Sequence, residues 1–466
     1  MKLLLFLDDW LLDGKVDVVR KYEAATITKC IETPRGALSS VDWNKARNCF
    51  CVNARSGGKI LVMESADGKK WKKGPQHTLR QVGEPPQGCK INMGEWFSSI
   101  FKDEDDPDPS RRYKIVGFPY CNKITKIGGV EGGPGAILCS PDGVHWTVNA
   151  RHHWFTNPRG SDTTNNMFYN PRRNVWQVIC RKNNLDRRIS MTESPDLENW
   201  TAPRIILHPD SLDGPLMQMY GMGAMCYEKD YFIGALQCYH VPSEETSADH
   251  CLGAVHSWSK WGGSVDGQLA YSYDGECWLR SDRSVFIPRT EPGTFGGPAV
   301  YPCAFNIPDG RKTIEIHGLG CLYGHGIGGD GRKEYPFERA LLVHSLRFDG
   351  FAYLEPIGGW GRITTRCLVP RNGKLTLNYQ APMGQLLVQV SDMARRPIKG
   401  YRFEDCIPLQ GDELSARVRW KRNPDLSSLI GKRIRLEVRM CDARLYAIRV
   451  DCGLWYTNTP APVDQL

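Results

Sequence analysis

Nothing in this chain is long and apolar enough to cross a membrane. The apolar opening Leu3-Leu4-Leu5-Phe6-Leu7 meets Asp8-Asp9 at once, too soon for the core of a secretory signal. The 17 cysteines form no regular spacing and are odd in number, which excludes a simple disulfide framework. Export would expose those thiols to oxidation, so the expected setting is the reduced cytoplasm. A clustered basic stripe is also missing. The net charge of +8 is spread over 466 residues, and pairs such as Lys69-Lys70, Arg111-Arg112, Arg172-Arg173 and Arg187-Arg188 fall in predicted turns with acids close by. That distribution argues against a nucleic-acid partner. Long helical periodicity is nearly absent.

Metal and cofactor signatures are equally scarce. Cys49-Phe50-Cys51 puts two thiols on one strand face without a matching pair. His152-His153, and His317 with His325, lack ligand spacing on a common element. The run Gly324 to Gly331 is glycine-rich but has no strand-to-helix context, so it predicts a loop and not a phosphate cradle. Neither a metal nor a cofactor is expected.

What the chain does have is glycine, 47 residues, and tryptophan, 14, the composition of short strands joined by tight turns. One phrase recurs. It reads Glu64-Ser65-Ala66-Asp67-Gly68-Lys69-Lys70-Trp71, then Cys139-Ser140-Pro141-Asp142-Gly143-Val144-His145-Trp146. It returns as Glu193-Ser194-Pro195-Asp196-Leu197-Glu198-Asn199-Trp200 and Tyr271-Ser272-Tyr273-Asp274-Gly275-Glu276-Cys277-Trp278. A degenerate fifth copy is His344-Ser345-Leu346-Arg347-Phe348-Asp349-Gly350-Phe351. Asp-Gly supplies a hairpin turn, Ser ends the incoming strand, and Trp follows on the outgoing one, where its ring can fill a seam between sheets. Each interval holds four short strands with their loops, so the repeat predicts five four-stranded sheets set radially: a five-bladed β-propeller over residues 1–357.

Beyond residue 358 the pattern changes. Leu386, Val388 and Val390 alternate with polar residues, as do Leu414, Ala416, Val418 and Trp420, and Ile434, Leu436, Val438 and Met440. Turns are expected at Arg371-Asn372-Gly373 and Gln410-Gly411-Asp412. Residues 358–466 therefore read as an antiparallel β-sandwich.

In a propeller the first residues of each innermost strand project into the axial mouth. Blade two offers Glu95 there, blade three Asp162, blade four Gln218 and Tyr220, and blade five Glu291. Blade one has Pro34-Arg35-Gly36 and no acid. The missing acid is expected from Asp8-Asp9, since two adjacent Asp in an apolar strand are costly unless solvated or bonded. Glycosidic cleavage needs one protonated carboxyl for the leaving oxygen and one ionised carboxylate as nucleophile or base. Glu95 is assigned as the acid, Asp9 as nucleophile or base, and Asp162 as stabiliser. Asp8, Arg181, Gln218, Tyr220, Glu291 and His317 are expected to bind substrate. Trp154, with Trp258 and Trp261, offers rings for sugar faces.

Phe6-Leu7-Asp8-Asp9, the repeated Ser-x-Asp-Gly-x-x-Trp, Arg112-Tyr113-Lys114-Ile115, Ser161-Asp162-Thr163 and Arg347-Phe348-Asp349-Gly350-Phe351 resemble bacterial proteins related to glycoside hydrolase family 32. Leu375-Thr376-Leu377-Asn378 and Asp442-Ala443-Arg444-Leu445-Tyr446-Ala447 extend the likeness almost to the end of the chain. The resemblance implies a five-bladed propeller, shared with families 43 and 68, acting on furanosides through three inner-strand acids. The Asn-Asp-Pro and Arg-Asp-Pro motifs of invertases are absent, and Ser161-Asp162-Thr163 stands where an Arg-Asp-Pro would. The departure argues against sucrose or fructan as substrate. Three readings follow: a glycoside hydrolase or transglycosidase, a phosphorylase in which Arg181 binds phosphate, and a non-catalytic carbohydrate-binding protein. The partner in each is a carbohydrate; whether the chain acts alone or as a homo-oligomer is left open.

Overall fold

Four of the five repeated phrases fold alike. In each, the Ser hydroxyl bonds the Asp carboxylate, at 3.0 Å in Ser65–Asp67, Ser140–Asp142 and Ser194–Asp196 and 2.9 Å in Ser272–Asp274. The same carboxylate accepts the next two backbone N–H groups but one, for example Val144 and His145 at 2.9 Å each. Gly68, Gly143 and Gly275 take positive φ there, and Leu197 takes the same conformation in the third copy. The backbone N–H groups of Lys70 and Lys69 hold the Asp67 carboxyl down at about 2.

The computed structural model describes residues 2–33, 42–56, 59–75, 78–84, 89–91, 100–117, 119–121, 125–127, 130–149, 154–156, 163, 165–183, 187–214, 216–240, 263–325 and 339–455. They form two units. One comprises Ala24–Pro308 and Glu315–Ser345; the other comprises Met1–Glu23, Asp309–Ile314 and Leu346–Leu466.

The first unit is the propeller. Blade one contains Asp42–Asn44, Cys49–Ser56, Lys59–Ser65 and Lys72–Lys73. Blade two contains Phe101–Lys102, Tyr113–Gly117, Val130–Ser140 and His145–Asn149, with Thr78–Val82 added parallel on its edge. Blade three is Asn166–Asn170, Val175–Asn183, Arg187–Ser194 and Arg204–Leu207. Blade four is Met217–Tyr227, Tyr231–His240, Ser264–Ser272 and Leu279–Ile287. Blade five is Ala299–Asn306, Thr313–Cys321 and Arg339–Arg347, completed by Thr26–Glu32 from the other end of the sequence.

The apolar cores lie between consecutive blades and close the ring. Trp146 with Leu138 meets Ala46 of blade one, Trp200 packs on Val116 and Ile137 of blade two, and Trp278 packs on Phe168 and Met191 of blade three. Tyr239 and Val265 meet Ala299 and Leu319 across blades four and five, and Trp71 and Phe50 meet Leu341 and Val343 across blades five and one. The repeated Trp fills the seam toward the preceding blade, as its place after the turn predicts.

The fifth phrase behaves differently. Its Asp349 is buried and paired with Arg449 at 2.7 Å. The chain leaves blade five there for Ala352–Pro356, a strand that pairs with Val18–Tyr22. The turn itself forms, with Gly350 N–H donating to the Arg347 carbonyl at 2.8 Å, but the strand after it pairs elsewhere because Thr26–Glu32 already supplies that blade's outer strand.

The second unit is the sandwich. Its strands run Leu12–Val16, Trp360–Thr365, Ile434–Cys441, Leu368–Asp392, Arg444–Leu454, Ala352–Pro356 and Val18–Tyr22, with Leu3–Leu5 on Arg444–Leu454 and Leu409–Arg417 on Leu368–Asp392. Leu368–Asp392 serves three partners: its first half pairs antiparallel with Arg444–Leu454, its second half parallel with Ile434–Cys441, and Leu409–Arg417 pairs antiparallel with it from Thr376 to Leu386. Leu386, Val388, Val390, Leu436, Val438 and Met440 are buried, as their alternation predicts. Gln410-Gly411-Asp412, expected as a turn, lies inside a strand, with Gly411 at φ +87°. The boundary also differs from the expected residue 358. The first 23 residues pair with sandwich strands, because Leu3–Leu5, fully buried, has its register on Ala447–Arg449.

Close approach of the inner strands decides one outcome. A Cβ at Gly223 in blade four would lie 2.5 Å from the Cys303 carbonyl oxygen of blade five, closer than packed atoms allow. Gly223→Ala should therefore cost about 1–3 kcal/mol in urea unfolding. Gly214→Ala, with open space around the new methyl, should stay within about 0.5 kcal/mol of the parent. Equal stability of the two variants would contradict the packing of the two blades.

Candidate functional site at the propeller mouth

One end of the propeller gathers the starts of first strands, the ends of second strands and the starts of third strands. Blade three contributes Arg181 and Arg187, which end its second strand and begin its third. Blade four contributes Gln218, Tyr220 and Tyr239; blade five contributes Tyr301 and, just after its second strand, His325. Distances show that these side chains converge. Arg181 lies over the Tyr220 ring at 4.7 Å and donates to the Tyr220 carbonyl at 3.2 Å. Arg187 lies 5.6 Å from the Tyr220 ring and 5.3 Å from the Tyr239 ring, and donates to Gln218 Oε1 at 2.8 Å. Tyr220 stands 5.3 Å from Tyr301.

His325 sits in the middle. Its ring is edge-on to Tyr220 at 4.6 Å and Tyr239 at 4.8 Å, and its Nδ1 is 2.8 Å from the Tyr301 hydroxyl. Its backbone is pinned to Gly263 by two hydrogen bonds, of 2.8 and 3.3 Å. Burial, with Arg187 and Arg181 nearby, pushes the imidazole down to about 3, so it is neutral at neutral pH. Burial likewise lowers Arg181 to about 10, still fully charged at neutral pH, and lowers Arg339. Tyr301 is raised well above its ordinary value, and Tyr239 is raised, both chiefly by burial. The site combines guanidinium charge with aromatic rings set edge-to-face.

Below the mouth the inner strands touch across the axis. Asn166 of blade three donates to the Cys303 carbonyl of blade five at 2.8 Å, and Gln237 of blade four donates to Pro302 at 2.7 Å. Thr163, buried, lies against the bare face of Gly221, where a Cβ would also come within 2.6 Å of Gln237 Oε1.

Of the expected site residues, Arg181, Gln218 and Tyr220 come together. His317 does not join them: it is buried in blade five beside Glu315 at 3.3 Å, and that hydrogen bond holds Glu315 at about 2. Glu291 has an exposed side chain, and its carbonyl accepts from Thr294 in a turn before blade five. Trp154 is in the strand Trp154–Thr156, paired with Val130–Ser140 of blade two. Glu95, Asp162, Trp258 and Trp261 lie outside the described residues. Asp8 and Asp9 belong to the sandwich unit. Asp8 accepts the Trp10 N–H at 2.8 Å, and Asp9 is ion-paired with Lys15 at 2.8 Å and with Arg20. Partial burial raises the Asp9 pKa, but hydrogen bonds from Lys15 and Arg20 outweigh it and hold the group below its ordinary value.

Arg187, Tyr239, Tyr301 and His325 are the members that sequence reasoning missed. Arg187 was grouped with surface turn pairs and His325 with a glycine-rich loop. The signal that would have found Arg187 is topological: the start of a third strand sits beside the end of the second. Blade four carries Asp266 at the equivalent end, bonded to His240 Nε2 at 3.2 Å. The Cys49 and Cys51 sulfurs are 3.8 Å apart with the Glu64 carboxylate close by. Arg47 already binds both Glu64 oxygens, which leaves that carboxylate committed to an ion pair rather than a metal.

No protein-family model and no curated protein matches the sequence. Among solved structures, the chain is similar to an N-acetylgalactosamine deacetylase from F. plautii in complex with blood group B trisaccharide, at 12% identity and TM-score 0.42, over 73% of this chain and 95% of that one. It is similar to a thermostable family-43 glycoside hydrolase at 11% identity and TM-score 0.42, over 71% of this chain and 95% of that one. A family-32 β-fructofuranosidase from Bombyx mori matches at 10% identity and TM-score 0.38, over 93% of this chain and 94% of that one.

Proposed function

We propose that the propeller is a carbohydrate-active enzyme that cleaves or transfers a glycosidic bond, with Asp162 and Glu95 as its central carboxyls. The observation that carries this reading is the mouth itself. Aromatic faces from Tyr220 and Tyr239 converge with the donors of Arg187 and Gln218 at the end of the propeller where first strands begin. Sugars present flat C–H faces edged by hydroxyls, and a site for them needs rings to cover the faces and fixed donors for the edges. Asp162 directly precedes Thr163, which is buried against Gly221 of the neighbouring blade.

The chemistry asks for one carboxyl to protonate the leaving oxygen and one, ionised, to attack or to activate water. Glu95 takes the first role, and Asp162 stabilises the positive charge that develops on the sugar. Asp9, expected as nucleophile or base, belongs to the other unit and is ion-paired with Lys15 and Arg20, so the proposal stands on Glu95 and Asp162.

A second reading, phosphorolysis, draws on Arg181 and Arg187 and assigns them to inorganic phosphate. A panel of aryl glycosides, run with and without phosphate, separates the two. Hydrolysis predicts release of the aryl alcohol at the same rate in both arms. Release only when phosphate is present would replace hydrolysis by phosphorolysis. Binding of sugars without release in either arm would leave a carbohydrate-binding protein.

A further inference from the structure

Arg187 is placed as an unusual sugar ligand. Its guanidinium is half-buried between the Tyr220 and Tyr239 rings, and its hydrogen-bond partner is the neutral amide of Gln218. Among the described residues no carboxylate lies within ion-pair distance of it. Several other arginines described in the propeller have such a partner: Arg173 has Glu193, Arg280 has Asp213, and Arg283 has Asp210. A half-buried guanidinium given only an amide oxygen has unspent donors and an uncompensated charge.

The surroundings have the same character. The Gln218 oxygen is committed to Arg187, which leaves its NH2 as a donor. The Tyr239 hydroxyl makes no hydrogen bond among the described residues, and burial keeps it protonated; the Tyr220 hydroxyl accepts from Arg181 and keeps its own proton to donate. His325 is neutral, and Arg181 adds positive charge behind Tyr220. The group that would satisfy these donors together is an oxyanion. A sugar hydroxyl would merely replace water, whereas a carboxylate, sulfate or phosphate accepts several charge-assisted bonds from a planar fork.

Resting on the glycosidase reading, we propose that the substrate carries such a group: a glycan bearing a uronate, sulfate ester or phosphate ester, whose oxyanion docks on Arg187 with Gln218, Tyr220 and Tyr239 as further donors. The charge is thereby read at one edge of the sugar while the carboxyls act on the glycosidic bond.

Calorimetric titration of the full chain tests this directly. The probes are glucuronate, galacturonate, glucose 6-sulfate and glucose 6-phosphate, their neutral parents glucose and galactose, and inorganic phosphate and sulfate alone. At least one anionic sugar should bind about 10-fold or more tightly than its parent, the gain expected of hydrogen bonds to a charged group. Arg187→Gln should abolish that preference, so that charged and neutral sugars bind alike, however weakly. Equal affinity for charged and neutral sugars, or no saturable binding of any anionic sugar, overturns the proposal without recourse to a variant. So does a preference that survives in Arg187→Gln. Binding of inorganic phosphate or sulfate with no gain from charge on the sugar transfers the site to a free anion and also overturns it. The titration registers binding and not turnover. A protein that shows the preference but cleaves nothing loses the glycosidase reading alone, and one that cleaves neutral glycosides without the preference loses the oxyanion site alone.

Discussion

Asp162→Asn is expected to lower turnover on the best glycoside by about 10³-fold or more while leaving sugar binding within a few-fold of the parent. Asparagine keeps the shape of the side chain and removes its charge. The loss therefore falls on the transition state, where positive charge develops on the sugar, and not on the ground-state complex. Glu95→Gln should behave differently, since a proton donor matters in proportion to the basicity of the leaving oxygen. Its turnover should fall steeply on alkyl glycosides and little on nitrophenyl glycosides, whose phenolate departs without help. Rates measured on both substrate types with both variants give the assignment. Unchanged turnover in Asp162→Asn and Glu95→Gln on every substrate would remove the glycosidase mechanism, whatever the sugars bound.

Much of the fold was legible because its signal is local. The Ser-x-Asp-Gly phrase is satisfied by bonds within a few residues, such as Gly143 N–H to Ser140 Oγ at 2.8 Å, so four copies announce four blades. Strand periodicity located most blade strands to within a few residues; Ala299–Asn306 is one case. What the sequence hid was pairing between distant segments. Thr26–Glu32 closes blade five by pairing with residues more than 300 positions later, and nothing in its own sequence names that partner. Leu3–Leu5 likewise reads as a generic apolar strand, yet its register is on Ala447–Arg449. The fifth phrase misled for the same reason: Asp349 serves Arg449, a contact invisible from the local motif.

The site divides along the same line. Gln218 and Tyr220 follow from a rule about the starts of inner strands, and Arg181 from the apolar run that it ends. Arg187 and His325 required knowing which rings would stand beside them. A histidine in a glycine-rich run and an arginine in a basic pair look like surface residues until Tyr220 and Tyr239 surround both.

Lys114→Met should cost about 3–5 kcal/mol at neutral pH, the largest stability loss expected here from one surface-neutral, volume-matched change. The Lys114 ammonium is fully buried and spends its three protons on Asp103 Oδ2 at 2.9 Å, Asp106 Oδ2 at 2.8 Å and the Arg111 carbonyl at 2.7 Å. Trp176 of blade three donates to the same Asp103 oxygen at 2.9 Å, so the lysine anchors the seam between blades two and three. Burial pushes the Asp106 pKa up, but bonds from Lys114, the Asp108 N–H and Arg111 outweigh it and hold the group below its ordinary 3.8. In the parent that stabilisation is present above pH 3.8 and fades as pH falls through the lower, folded-state value. The variant keeps the Arg111 and Asp108 N–H bonds to Asp106 but loses the ammonium, so the depression of that carboxyl shrinks and the lost stability is felt above pH 3.8. Urea unfolding at pH 7 and near pH 2 therefore gives a stability gap between parent and variant that narrows with acid. A gap independent of pH would mean that methionine merely packs badly, and that the buried ion pairs do not hold these two blades together.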